Sequence, residues 1–458
     1  MTMQYYKPEG AFSVGDCMPY GHGEVFHLFY LLDQEHHQGR GGLGGHQWAH
    51  VSTRDLVDWQ PHPLAVALTE DWEASICTGS VIHHDGTHHA FYATRKADLT
   101  QHLSHATSRD GVTFTKTAPN PFASAPEGYS PVDFRDPVVF ADASGRFHML
   151  VTSRIDDYPL FDRGGCLLRL SSEDMENWRV ESPFLIPGGP PGYACIPECP
   201  DYFHWNGWYY LVFGLGLQTH YRMSREPFGP WCRPNVDTLG NAMLAVMKTA
   251  PFGRDRRIGV GWIGTRTDNR DSGARQWGGN AVFRELVQNA DGTLGTRFPP
   301  EMMPGGHTAI APALEALTTG VGGTAHHVEA DGRQTQQVAA LGPMPADYRL
   351  RVQIRPGGDT ARYGLGLRGW GNYATEYYLA FEVPERRVLL GEESIECVDG
   401  LDRPFDLDVV LKDDIIDVCV AKRRCLINRV GELKGDRLFL LCENGSVAFD
   451  DLEIRPLP

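Results

Sequence analysis

Three carboxylates occur in similar surroundings far apart in the chain. Asp16 lies in FSVGDCMPY (12–20), Asp136 in PVDFRDPVVF (131–140) and Glu198 in CIPECPDYF (195–203). Each sits among glycine, proline or cysteine, just ahead of a short apolar run. Brought to one point, three acids would repel one another unless their surroundings drive their pKa values apart. Glycoside hydrolysis uses such a set. One carboxylate attacks the anomeric carbon or activates water, and a second protonates the departing oxygen. A third can hold sugar hydroxyls as positive charge grows at the anomeric carbon. Left as separate charges, paired with Arg135 or with backbone amides, the three would be structural only. The fold decides between these readings.

A repeated unit positions them. GEVFHLFYLLD from Gly23, GTHHAFYATR from Gly86, GRFHMLVTSR from Gly145 and GWYYLVFGLG from Gly207 recur at roughly 60-residue intervals. RRIGVGWIGT from Arg256 is a weaker fifth copy. VIHHDG, VVFADASG and YFHWNG run into three of these copies as a strand followed by a turn, which is a hairpin signal. A serine, a turn and a bulky aromatic then close each unit, at Trp59, Phe114, Trp178 and Trp231. Units of this length, built of strands and turns without a helical period, predict an all-β fold: a five-bladed β-propeller over residues 1–302. The repeating Trp59, Trp178 and Trp231 are expected in its core. Asp16 lies seven residues before Gly23, Asp136 nine before Gly145 and Glu198 nine before Gly207. The three acids therefore start the innermost strands of blades one, three and four, whose starts open at one mouth of the axis. A linker is expected over 303–324. Alternating strands from YRLRVQIRP onward predict a C-terminal β-sandwich over 325–458.

Composition narrows the partners. A chain of 458 residues is long enough for two or three domains, and its net charge of −16 argues against nucleic acid or an anionic membrane. No apolar run approaches the ~18 residues that span a bilayer, and MTMQYYKPEG lacks a signal pattern. Ten cysteines without a framework spacing, Cys195 and Cys199 among them at the wrong interval for a zinc knuckle, read as reduced thiols in the cytoplasm. Histidine pairs recur at 36–37, 83–84 and 88–89. Neighbours on a strand face opposite ways, so neither member of a pair can join the other on one ion. They read as turn residues, and no metal or cofactor is expected. GRGGLGGHQW from Gly39 has no following lysine and no helix signal, and reads as a rim loop rather than a phosphate loop. The expected partner is a small oligosaccharide, with the sandwich offering a homodimer surface.

The motifs resemble glycoside hydrolase family 32, the invertase and fructosidase group, across essentially the whole chain. RDP at 135–137 and ECP at 198–200 stand as that family has them, and QWAHVSTRDLVDWQ (47–60) is similar to its HWGHAVSxDLxHW segment. CTGS at 77–80 resembles its SGS segment, and FRELVQNADGTL (283–294) resembles the PREL stretch that closes its propeller. The resemblance implies Asp16 as nucleophile, Glu198 as acid/base and Asp136 as transition-state stabiliser. It further implies Arg135 steering the neighbouring carboxylates, Trp48 walling the sugar site, and Thr78 and Ser80 near the substrate. Two features depart from the family. Its W-x-N-D-P-N-G reads Val14-Gly15-Asp16-Cys17-Met18-Pro19 here, and the glutamine expected after the FY pair is Leu31. New contacts to the sugar are then expected from Asp33, His36, His37, Trp72, Arg95, Asp98 or Arg154. Trp72 and Trp277 do not follow the blade rhythm and are candidate sugar platforms. The expected activity is release of a terminal furanosyl unit, β-fructofuranosyl above all, by a retaining double displacement. An inverting arabinofuranosidase-like enzyme and a non-catalytic carbohydrate-binding propeller are the alternatives.

Overall fold

The computed structural model describes residues 3–160, 163–187, 196–303, 305 and 307–458. The recurring segments are the second strands of five blades: Val25–Asp33, Thr87–Arg95, Phe147–Arg154, Trp208–Leu215 and Arg256–Arg266. They are buried along most of their length, which is why they read as near-continuous aromatic and β-branched runs rather than alternating ones. Each pairs antiparallel with an innermost strand before it: Ser13–His22, Ser75–His84, Arg135–Ala141, Glu198–Trp205 and Leu244–Phe252. The innermost strands touch one another in ring order and the fifth meets the first, so five blades close on one axis. Asn206-Gly207 and Asp85-Gly86, with positive φ at both positions, make the two-residue turns that match strand twist.

The element closing the first three blades has a specific chemistry. Asp55, Asp110 and Asp174 each accept two backbone N–H groups at 2.8–2.9 Å, two and three residues further along. Their carboxylates also take the hydroxyls of Thr53, Ser108 and Ser172. The aromatic that follows is not in the core. Trp59 and Trp178 are half-buried and donate their indole N–H to Leu56 and Met175 carbonyls, and Trp231 is also half-buried. They cover blade edges, where a turn carbonyl satisfies the indole of Trp59 and of Trp178.

One irregularity recurs in all five innermost strands. Their pairing slips by one residue between Val14 and Cys17, Ile76 and Gly79, Arg135 and Val138, Glu198 and Asp201, and Ala245 and Lys248. A bulge of this kind bends a strand and re-aims its side chains. At three of them a non-glycine residue takes positive φ: Asp136, Cys199 and Val246.

The remaining strands form two seven-stranded sheets facing each other around Leu365, Phe381, Leu407 and Leu440. Within the stretch expected to link the domains, Ala313–Ala316 pairs with Gln337–Gly342 and Val321–Thr324 pairs with His327–Asp331. Both are already members of the sandwich sheets. The junction with the propeller is a core in its own right. Tyr221, Met247 and Ile263 share one apolar cluster with Ile415, Cys419 and Ile427. Buried inside it, Arg284 pairs with Asp417 at 2.6 Å, and the Tyr5 hydroxyl donates to the same carboxylate at 2.8 Å. Among the described residues, no helix is long and apolar enough to cross a membrane.

Candidate active site

The bulges bring the three carboxylates, from the innermost strands of blades one, three and four, to one mouth of the axis. Glu198 is the last residue paired before its bulge, Asp136 is the first residue inside its own, and Asp16 is the second inside its own. This stagger lets three acids share a site at different depths. Asp16 accepts the Trp262 indole N–H on Oδ1 at 2.9 Å and the Thr78 hydroxyl on Oδ2 at 2.9 Å. Asp136, 3% exposed, accepts the Cys199 backbone N–H at 3.0 Å and the Thr152 hydroxyl at 3.3 Å. The Cys199 thiol stands 3.7 Å from Asp16 Oδ2 and 3.7 Å from Asp136 Oδ2, and so bridges the two acids. Glu198 keeps 34% of its side chain exposed and is held through Oε1 by Arg135 at 2.7 Å.

Charge is distributed unevenly. Arg135 also reaches Asp133 at 3.0 Å and Asp136 at 3.6 Å, and Arg154 pairs with Asp133 at 3.0 Å. Burial works against the Arg135 charge, but Glu198, Asp136 and Asp133 outweigh it and keep the guanidinium firmly ionised. No cation pairs with Asp16 among the described residues. Burial first, then the negative charges of Asp136 and Glu198, lift its carboxyl to about 6, against the pull of the Trp262 and Thr78 hydrogen bonds. The same burial and the same acids push the Cys199 thiol well up, so it stays protonated and donates.

A cavity of about 410 Å³ opens over these groups. The three acids, Arg135, Thr78 and Trp277 all line it, together with His37, Arg95 and Leu31. Trp48 does not. It is fully buried between Phe29 and Tyr92, with its indole N–H on the Cys77 carbonyl at 2.8 Å. Its place on the third strand of blade one turns it into the sheet. Ser80 lies one residue past the bulge of its strand and binds the Val139 N–H at 3.2 Å, between blades two and three. Trp72 is also outside the cavity, with Lys96 over its ring. Of the further contacts anticipated, Asp33 anchors the wall from behind. It accepts the N–H groups of His36 and His37 and pairs with His46, which stacks on Trp277. The glycine-rich loop is pinned, since Arg95 donates to the Leu43 carbonyl at 3.2 Å and to His37 at 3.1 Å. Cys199 and Trp262 were missed. Cys199 had a signal, standing directly after Glu198, whereas Trp262 lies in the weakest repeat.

Residues 17–228 match the family described as "Glycosyl hydrolases family 32 N-terminal domain", a range that starts one residue after Asp16. Over that stretch the chain is similar to glycosyl hydrolase family 32. It is 30% identical over 240 residues to a probable sucrose-6-phosphate hydrolase of Psychromonas ingrahamii, covering 47% of this chain and 42% of that one. It is 24% identical over 315 residues to the sucrose-6-phosphate hydrolase of Escherichia coli, covering 63% and 62%. The chain thus spans less than two thirds of either relative. Fructan 1-exohydrolase IIa from Cichorium intybus superposes over 100% of this chain and 97% of its own with a TM-score of 0.75 at 15% identity, which carries the fold of propeller and sandwich together.

Against the family 32 pattern, the altered residues around Asp16 have a physical cause. The family's asparagine is Gly15 here, and a Cβ at that position would stand 2.1 Å from the Trp277 ring. Trp277 therefore occupies the space of the missing side chain, packed on Trp262 and His46. Leu31, replacing glutamine, joins it on the cavity wall. An aromatic and aliphatic patch stands where the family motif would supply hydrogen-bonding groups.

Proposed function

We propose that this chain hydrolyses a terminal β-fructofuranosyl unit from a small oligosaccharide, with retention of configuration. One observation carries the reading: Asp16, with no cation partner, lies beside the thiol-bridged Asp136, while Glu198 reaches the cavity from the exposed side. Asp16 attacks the anomeric carbon as Glu198 gives its proton to the leaving oxygen, forming a fructosyl ester on Asp16. Glu198 then takes a proton from water, whose oxygen attacks the same carbon and frees the Asp16 carboxylate. Asp136 accepts sugar hydroxyls while the ring carries positive charge, and Arg135 keeps Glu198 in place. The names of the relatives, sucrose-6-phosphate hydrolases and a fructan exohydrolase, support a fructosyl substrate. The apolar patch of Trp277 and Leu31 supports a substrate other than plain sucrose, since a site without hydrogen-bond partners does not select hydroxyls. Nine described cysteines are free thiols, which supports a reducing compartment such as the cytoplasm.

Glu198→Gln tests the assignment. Turnover of a natural fructoside should fall by several orders of magnitude with the fold intact. An activated aryl fructoside, whose leaving group needs little protonation, should lose far less in its first step. Activity like that of the parent on the natural substrate would overturn it.

A further inference from the structure

The innermost strand of blade one carries Asp16 near one end and His22 at the other. Six residues at a rise of ~3.3 Å put His22 about 20 Å from the carboxylates, at the opposite face of the propeller. There it meets the hairpin of blade two, where His83 and His88 are direct cross-strand partners and so share one side of the sheet. One ring nitrogen from each of His22, His83 and His88 lies within 4.8 Å of the other two. Their ring centroids are 4.2, 4.8 and 4.9 Å apart. Each of the latter two comes from a different histidine pair, and the neighbours His84 and His89 make their contacts elsewhere, with Asp85 and with His105.

We propose that His22, His83 and His88 form a metal site for a zinc-type divalent cation. Three imidazoles without a carboxylate suit zinc, copper(II) or nickel and do not suit calcium or magnesium. Tetrahedral zinc at 2.0–2.1 Å needs ligand nitrogens about 3.3 Å apart, so modest ring rotations close the site. The Tyr20 hydroxyl binds His88 Nδ1 at 3.0 Å and fixes that ring, as hydrogen bonds on a ligand's other nitrogen do in metal sites. Among the described residues, neither His22 nor His83 has a hydrogen-bond partner for its ring, so both nitrogens of each are open to an ion. The bound cation ties the end of blade one to blade two, which belong to separate sheets. Its role is a structural clamp, remote from the sugar site.

The test uses the full chain stripped with EDTA. Zinc chloride is titrated by calorimetry, cobalt chloride by visible absorption, and melting is followed with and without zinc. The site predicts one ion per chain, the intense absorption of four-coordinate cobalt, and a zinc-dependent rise in melting temperature. His22→Asn and His83→Asn should each weaken binding by about tenfold or more and abolish the rise, with circular dichroism and fructoside turnover unchanged. His84→Asn should bind as the parent does. Absence of saturable binding at one ion per chain, parent-like affinity in His83→Asn, or an equal loss in His84→Asn would each overturn the proposal.

Discussion

Replacing Trp262 by phenylalanine removes the indole N–H that holds Asp16 Oδ1 at 2.9 Å and keeps an aromatic ring in a fully buried position. The ionised form of Asp16 loses a donor, while the protonated form loses little. A hydrogen bond to a charged group is worth about 1.5–3 kcal/mol, and one pKa unit corresponds to 1.36 kcal/mol. The Asp16 carboxyl, already lifted to about 6 by burial, Asp136 and Glu198, should therefore rise by roughly one to two further units. As nucleophile it must be ionised, so activity is lost as pH falls through its pKa. The acid limb of kcat/KM, which reports the free enzyme, should lie near 6 in the parent and between about 7 and 8 in Trp262→Phe. Initial rates on a fructosyl oligosaccharide between pH 4.5 and 9 measure both limbs, and thermal melts at each pH separate titration from unfolding. An acid limb that stays in place, or moves to lower pH, would refute the link between Trp262, Asp16 and catalysis.

Asp16→Asn should abolish turnover yet raise the melting temperature at pH 7.5. A carboxyl whose folded pKa of about 6 exceeds the ordinary aspartate value of 3.8 destabilises the fold once ionised, so the gain should fade as pH drops through 6 toward 4. Gly15→Asn should destabilise the chain and cut activity through collision with the Trp277 ring, and adding Trp277→Ala should recover part of the loss in melting temperature. Asp417→Ala, which strands the buried Arg284 between the domains, should cost about 3–5 kcal/mol in denaturant titrations. Lys422→Ala, at an exposed ion pair, should change neither stability nor kcat appreciably.

The sequence carried the blades because each second strand is buried on both faces and shows its aromatic run plainly. It carried the three acids because each innermost strand starts near its hairpin glycine. The depth of each acid was not legible, since the hairpin loops differ in length. Asn206 and Gly207 alone join Trp205 to Trp208, whereas 142–146 separate Ala141 from Phe147, so equal offsets from a glycine are unequal offsets from the bulge. Trp48 resembled a sugar wall by its motif, but strand parity points it into the core against Phe29 and Tyr92. Trp277 walls the cavity over Gly15 and the buried Trp262 holds Asp16, both through contacts between blades five and one that no local pattern reports. The strands at 313–316 and 321–324 are four residues long and exposed on most positions, too short to show a period. Cys195 lies outside the described residues.

The stereochemistry of the first product tests the central claim most directly. A nucleophilic Asp16 gives two inversions at the anomeric carbon, and an Asp16 acting as base for water gives one. Proton and carbon NMR of the sugar released in the opening minutes, before mutarotation, distinguishes the two on a β-fructofuranoside. The account predicts β-fructofuranose as the first species to accumulate, with the α form growing in later. α-Fructofuranose appearing first would contradict it and make Asp16 a general base in an inverting enzyme.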